Sequence, residues 1–107
     1  METFTKYDPI TLDLKRVESL HDLMRMCNVL QVRIHSVQFY MNGFRVTFEN
    51  WEGDAILHDG SYGRNSYDWE TIGFPWDGDD ISVHSPAELA SLLYDYKNGE
   101  YKDGNQK

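Results

Sequence analysis

Hydrophobic and polar positions along this 107-residue chain change period several times, and each change predicts an element. At 10–14, "ITLDL" sets Ile10, Leu12 and Leu14 against polar neighbours, the alternation of a short half-buried strand. From Ser19 the period lengthens: Leu20, Leu23, Met24 and Cys27 fall on one helical face, and Ser19 with Asp22 has the spacing of a capping box, so a helix is expected over 19–29. Alternation then returns. Val32, Ile34, Val37, Phe39, Phe44, Val46 and Phe48 are strand formers, and Asn42-Gly43 supplies residues tolerant of the positive φ angles of a hairpin turn. Phe44, Val46 and Phe48 share one face, with Arg45, Thr47 and Glu49 on the other. A slip in phase between Val32/Ile34 and Val37/Phe39 predicts a bulge near Ser36. A second turn at Glu52-Gly53 leads into "DAILH", which completes a three-stranded meander.

Beyond His58 the chain is polar, aromatic and punctuated by Gly60, Gly63, Gly73 and Gly78. Within it "NSYDWETIG" suggests one or two helical turns capped by Asn65 or Ser66 and stopped at Gly73, and "DISVHS" a short strand. The last helix has the fullest set of signals: Ser85 as N-cap, Pro86 at the first helical position, Glu88 three residues after the cap, and Leu89, Leu92, Leu93 and Tyr96 along one face. Asn98-Gly99 is its expected stop, with 98–107 a flexible tail. The expectation is one α+β domain over 1–107: a three- to four-stranded antiparallel meander with helices 19–29 and 86–97 packed largely on one face.

Charge adds what periodicity does not. The formal net charge is −8, but residues 1–47 carry five acids and six bases, whereas 49–96 carry eleven acids and one base, Arg64. A field of that sign repels nucleic acid and anionic membranes and attracts basic protein surfaces. The lone Cys27 excludes an internal disulfide and every Cys-pair zinc pattern, which suits a reducing cytoplasm. No apolar run approaches the roughly 20 residues that span a bilayer, and the opening "METFTKYDPI" lacks the pattern of a signal peptide.

Three chemistries compete for "GFPWDGDDISVHSP" at 73–86. Asp77, Asp79, Asp80 and Glu88 approximate the spacing of an EF-hand loop, but Ser82 stands where that loop needs glycine and Ile81 where it needs an oxygen ligand. Hydrolysis by paired carboxylates, or by His58-Asp59 or Asp80 with His84, has the groups but no recognisable catalytic motif, and His21, His35, His58 and His84 are scattered. Docking needs anchors and steering charge. All three tryptophans, Trp51, Trp69 and Trp76, lie in the acidic window with Tyr62, Tyr67 and Phe74. The candidate partner-binding residues are Trp76, Asp77, Asp79, Asp80, Trp69, Tyr67, Asp68 and Glu70. At least one tryptophan is expected in the core and one or two partly exposed, Trp76, held between Pro75 and Asp77, first among them. No catalytic residue, metal ligand or cofactor is expected.

The run "LHDGSYGRNSYDWETIGFPWDGDD" followed by "SPAELASLL" resembles small acidic proteins carried by phages and prophages of low-GC bacteria, in which a "DGSYG" turn and a "GF" stop precede an acidic loop and a capped helix. The resemblance covers about half the chain and rests on structural motifs. It implies a non-catalytic inhibitor of host defence, such as an anti-CRISPR protein, that sets carboxylates where a nuclease expects phosphates. An immunity-type inhibitor of a toxin nuclease has the same physics. A small hydrolase or calcium-binding module is the alternative from another class.

Overall fold

The computed structural model of the protein describes residues 13–97. Asp13 caps α1 (Leu14–Val29): its carboxylate accepts the Lys15 N–H at 2.9 Å and the Tyr67 hydroxyl at 2.7 Å. The helix therefore begins before Ser19, which is an interior residue and not its cap. The Ser19 hydroxyl donates to the Tyr67 carbonyl at 2.8 Å and accepts the Trp69 indole N–H at 3.0 Å. Of the strand expected at 10–14, residues 10–12 lie outside the described residues, while Asp13 and Leu14 cap and open the helix. Arg16, Ser19, Leu20, Leu23 and Cys27 make its buried stripe. After it, Gln31 takes a left-handed φ of 62° and the Val32 N–H bonds back to the Cys27 carbonyl at 2.8 Å, which folds buried Val32 against the helix end.

The expected hairpin is present, and its turn is displaced by one residue. β1 (Ile34–Tyr40) pairs with β2 (Gly43–Phe48), and Tyr40 faces Gly43. Met41 and Asn42 are thus the turn residues, with φ of 50° and 58°, the two successive positive values that match strand twist. Gly43 is needed for a different reason: a Cβ there would lie 2.0 Å from the Leu57 carbonyl oxygen on the next strand. The register shifts between Ile34 and Ser36, where the change of phase placed a bulge.

The meander continues through β3 (Asp54–Leu57), β4 (Trp69–Ile72) and β5 (Ser82–His84) into five antiparallel strands in order β1-β2-β3-β4-β5, against the three to four expected. β4 replaces the helical turns expected over 65–72. Gly63 O accepts from the Ser66 and Asp68 N–H groups, Tyr67 reverses direction at φ 60°, and Trp69 and Thr71 then enter the core while Glu70 and Ile72 face outward. That alternation outweighs the helical cap signal at Asn65-Ser66 because it buries an entire indole. α2 (Pro86–Lys97) starts as its signals require, with the Glu88 N–H donating to the Ser85 hydroxyl at 3.1 Å and Leu89, Ala90 and Leu93 buried. Leu92 and Tyr96 are half-buried at its margin. The stop at Asn98-Gly99 and the tail lie outside the described residues.

The architecture is α+β. α1 and α2 pack against each other over the sheet face that carries Phe44, Val46, Phe48, Ala55, Leu57, Trp69 and Thr71. Fully burying one large apolar side chain is worth about 1.5–3 kcal/mol, whereas an exposed ion pair contributes about 1 kcal/mol or less. This shared interior, rather than the surface charge, holds the fold. Gly43→Ala is expected to cost roughly 2 kcal/mol or more, the overpacking range, because backbone oxygen cannot yield. Gly60→Ala, whose Cβ would meet only the flexible Met41 side-chain tip at 3.3 Å and the His58 ring, is expected to change stability much less. Thermal melting of the two variants followed by circular dichroism checks the contrast; equal melting of Gly43→Ala and the unaltered protein would refute the register.

Candidate functional site

In an antiparallel meander every second connection returns to the same end of the sheet. Here that parity brings together the β2–β3 loop, 49–53, and the β4–β5 loop, 73–81. Their rings join them. Phe74 and Trp76 stack with centroids 4.7 Å apart and planes 3° from parallel, and Trp51 meets Phe74 at 5.9 Å and Trp76 at 6.0 Å. Phe48, His84 and Tyr96 add edge contacts at 6.1, 6.2 and 5.3 Å. Trp76 is therefore a half-buried strut between two loops and a helix.

Asp77 fixes the backbone beneath it. One carboxylate oxygen accepts the Phe74 N–H at 3.2 Å, and the other accepts the Thr71 hydroxyl at 2.8 Å and the Ser82 hydroxyl. The Trp76 indole N–H donates to Thr71 Oγ1 at 3.2 Å, tying ring and carboxylate to one threonine. Asp77 is buried and turned inward, so the first residue of the EF-hand-like spacing is a clamp within the loop. Ser82 Oγ also lies 2.7 Å from His84 Nε2, and His84 Nδ1 is 3.5 Å from a Glu88 oxygen. The series serine–histidine–carboxylate resembles a nucleophile with its base. Its hydroxyl is also engaged by Asp77 and Thr71.

The eight residues expected to meet a partner thus separate. Trp69 is fully buried and Asp77 nearly so, which corrects their assignment to a contact surface. Asp79 and Asp80 are exposed beside half-buried Trp76. Glu70 stands on the outer sheet face, accepting the Tyr62 N–H at 2.8 Å. Tyr67 and Asp68 are half-buried at the other end of the sheet, where the Tyr67 hydroxyl is committed to Asp13 and the Ser66 hydroxyl donates to Asp68 at 3.0 Å. In their place the fold contributes Glu49 and Glu52, exposed on the loop that Trp51 ties to Trp76. Their signal in the sequence is strand parity, which appears only once β4 is recognised. Neither loop contains a base, and the ion pair found there among the described residues, Arg33 to Glu49, spans 3.9 Å with side chains 78% and 46% exposed.

The opposite end is internally neutralised. The Arg16 guanidinium donates at 2.8 Å both to the Asn42 carbonyl and to Asp59, whose other oxygen accepts from the Asn42 amide at 2.9 Å. The hydrogen bond from Arg16, with that from Asn42, holds the Asp59 carboxyl below the usual range. Burial lowers the pKa of His58, whose Nδ1 accepts the Gly60 N–H at 3.0 Å, so His58-Asp59 is a turn fixed to α1. Burial also pushes the Cys27 thiol up to about 11, far from a reactive thiolate. No protein family, curated protein or solved structure matches the chain.

Two outcomes test this division of roles. Asp77→Ala removes the acceptor shared by two hydroxyls and leaves the buried Phe74 N–H without its partner, and is expected to cost about 1–3 kcal/mol. Asp79→Ala with Asp80→Ala should stay within about 0.5 kcal/mol of the unaltered protein, as exposed substitutions do. Urea midpoints distinguish them. In acid, the depressed pKa values of Asp13, set first by the Tyr67 hydroxyl, and of Asp59 have one sign. Their stabilisation is present above the unfolded carboxyl value of about 4 and is lost as pH falls through the folded values. Asp59→Asn should therefore reduce the loss of stability seen in a melting series between about pH 5 and about pH 2.

Proposed function

We propose that this chain is a non-catalytic acidic inhibitor that binds a basic, nucleic-acid-handling protein and occupies the surface meant for phosphates, as an anti-CRISPR or similar anti-defence protein of phage origin does. The observation that carries this reading is the end of the sheet at which Glu49, Glu52, Asp79 and Asp80 are exposed on two base-free loops joined by the Trp51–Trp76 contact. Loops tied to each other by packed rings and to the sheet by Asp77 have less conformational freedom to lose on binding than free loops, so more of the interaction energy remains as affinity. Exposed charge of one sign also speeds encounter with a basic groove. The partner class accords with a basic nuclease; the cytoplasm of the host cell is where such a pair would meet.

The test compares the unaltered chain with the Glu49→Lys, Glu52→Lys, Asp79→Lys, Asp80→Lys variant as baits in bacterial lysates at low and high salt. Captured proteins are then purified and assayed for nucleic-acid binding and cleavage. The expected result is a basic nucleic-acid-binding protein held by the unaltered chain, released by salt, lost by the variant, and inhibited in its activity. Capture that is indifferent to charge reversal would sink the proposal. The isolated chain is also expected not to shift DNA or RNA at physiological salt, since 49–96 offers Arg64 against eleven acids. A gel shift at micromolar protein contradicts that.

A further inference from the structure

β5 is one edge of the sheet. Among the described residues, Ser82–His84 pairs with β4 and with no strand on its other side. An edge of this kind presents backbone N–H and C=O groups that template another strand. Across the outer face, Ile56, Glu70 and Val83 lie in register on β3, β4 and β5, and Val83 is 39% exposed, so the row that ends at Val83 mixes apolar and acidic surface. Exposed Asp79 and Asp80 lie just before the strand and exposed Glu88 just after it, and no lysine or arginine occurs between them.

That arrangement selects the occupant. A second copy of this chain, paired antiparallel about Val83, would set Asp79 and Asp80 of one copy near Glu88 of the other in both halves of the contact, which repels. A strand with lysine or arginine at its two ends and an apolar residue at its centre meets opposite charge at both ends and Val83 in the middle. We propose that the β5 edge accepts an extended segment of the basic partner as a sixth strand. Backbone hydrogen bonds supply affinity and the flanking carboxylates select for basic ends. This inference rests on the proposed function and names its mode of contact.

The probe is the capped heptapeptide KKTVTKK, compared with the same peptide N-methylated at alternate backbone nitrogens on its pairing edge and with EETVTEE. Each is titrated into the full, nitrogen-15-labelled chain while amide shifts and hydrogen exchange are followed. The expected result is saturable binding of KKTVTKK with slowed exchange at 81–84, at least about tenfold weaker binding of the methylated peptide, which keeps its charge but lacks the donors, and no binding of EETVTEE. Asp79→Lys with Asp80→Lys should weaken KKTVTKK by a similar factor without moving the other core resonances. Equal binding of the methylated and unmethylated peptides, or perturbation confined to 49–53 and 79–80, overturns the edge and leaves the acidic docking end standing. Absence of binding by both basic peptides overturns the edge and leaves the acidic docking end to its own capture test, whereas binding of EETVTEE as tight as that of KKTVTKK overturns both.

Discussion

Burial of Trp69 is the constraint on which the other elements depend. The indole is wholly inside, and a buried N–H needs an acceptor. Ser19, in the middle of α1, provides it at 3.0 Å and in turn donates to the Tyr67 carbonyl at 2.8 Å. One serine thereby fixes α1 to the start of β4, and the Tyr67 hydroxyl closes the same circuit on the helix cap at Asp13. With β4 positioned, Thr71 stands two residues on along the same face, ready for Asp77. The interior of the sheet and the shape of the acidic end are therefore set by one chain of contacts that starts in the core.

The α+β class, the bulge, the hairpin face and the start of α2 are legible in the sequence because each has a local cause. A change of phase marks the bulge, and a serine–proline–glutamate series marks the helix. What is not legible depends on distant partners. Ser19 reads as a cap because serine favours caps, and nothing nearby announces that Trp69, far along the chain, will claim its hydroxyl. Asn42-Gly43 reads as the turn because glycine tolerates positive φ, whereas Gly43 is required by the Leu57 carbonyl and the turn moves back to Met41-Asn42. The segment at β4 carries helix-cap residues, but a four-residue strand with two buried positions has little pattern to display.

The candidate site shows the same limit. Asp79 and Asp80 are legible from composition, since exposed aspartates in a glycine-containing loop are local facts. Asp77 looks identical in the sequence and has the opposite fate, because Thr71 and Ser82 face it across paired strands and the Phe74 N–H closes the loop. Glu49 and Glu52 carry no local mark of their place in the candidate site, because they join it through strand parity and through Trp51, both properties of the completed sheet.

Aromatic strut and carboxylates have separable physical tasks. Trp51, Phe74 and Trp76 are packed against one another and the core, so the free-energy gain from burying them belongs mainly to folding, and less of their surface is left for a partner to bury. On the proposed reading, affinity must then come from charge-assisted bonds and from backbone pairing rather than from an inserted tryptophan. Exposed ion pairs taken singly are weak and screened by salt, so several carboxylates on rigid loops are needed before they amount to a specific surface. A neighbouring sheet edge adds what carboxylates lack, a direction and a register. On the proposed reading, the acidic end selects the sign of the partner, and the edge at β5 selects its conformation.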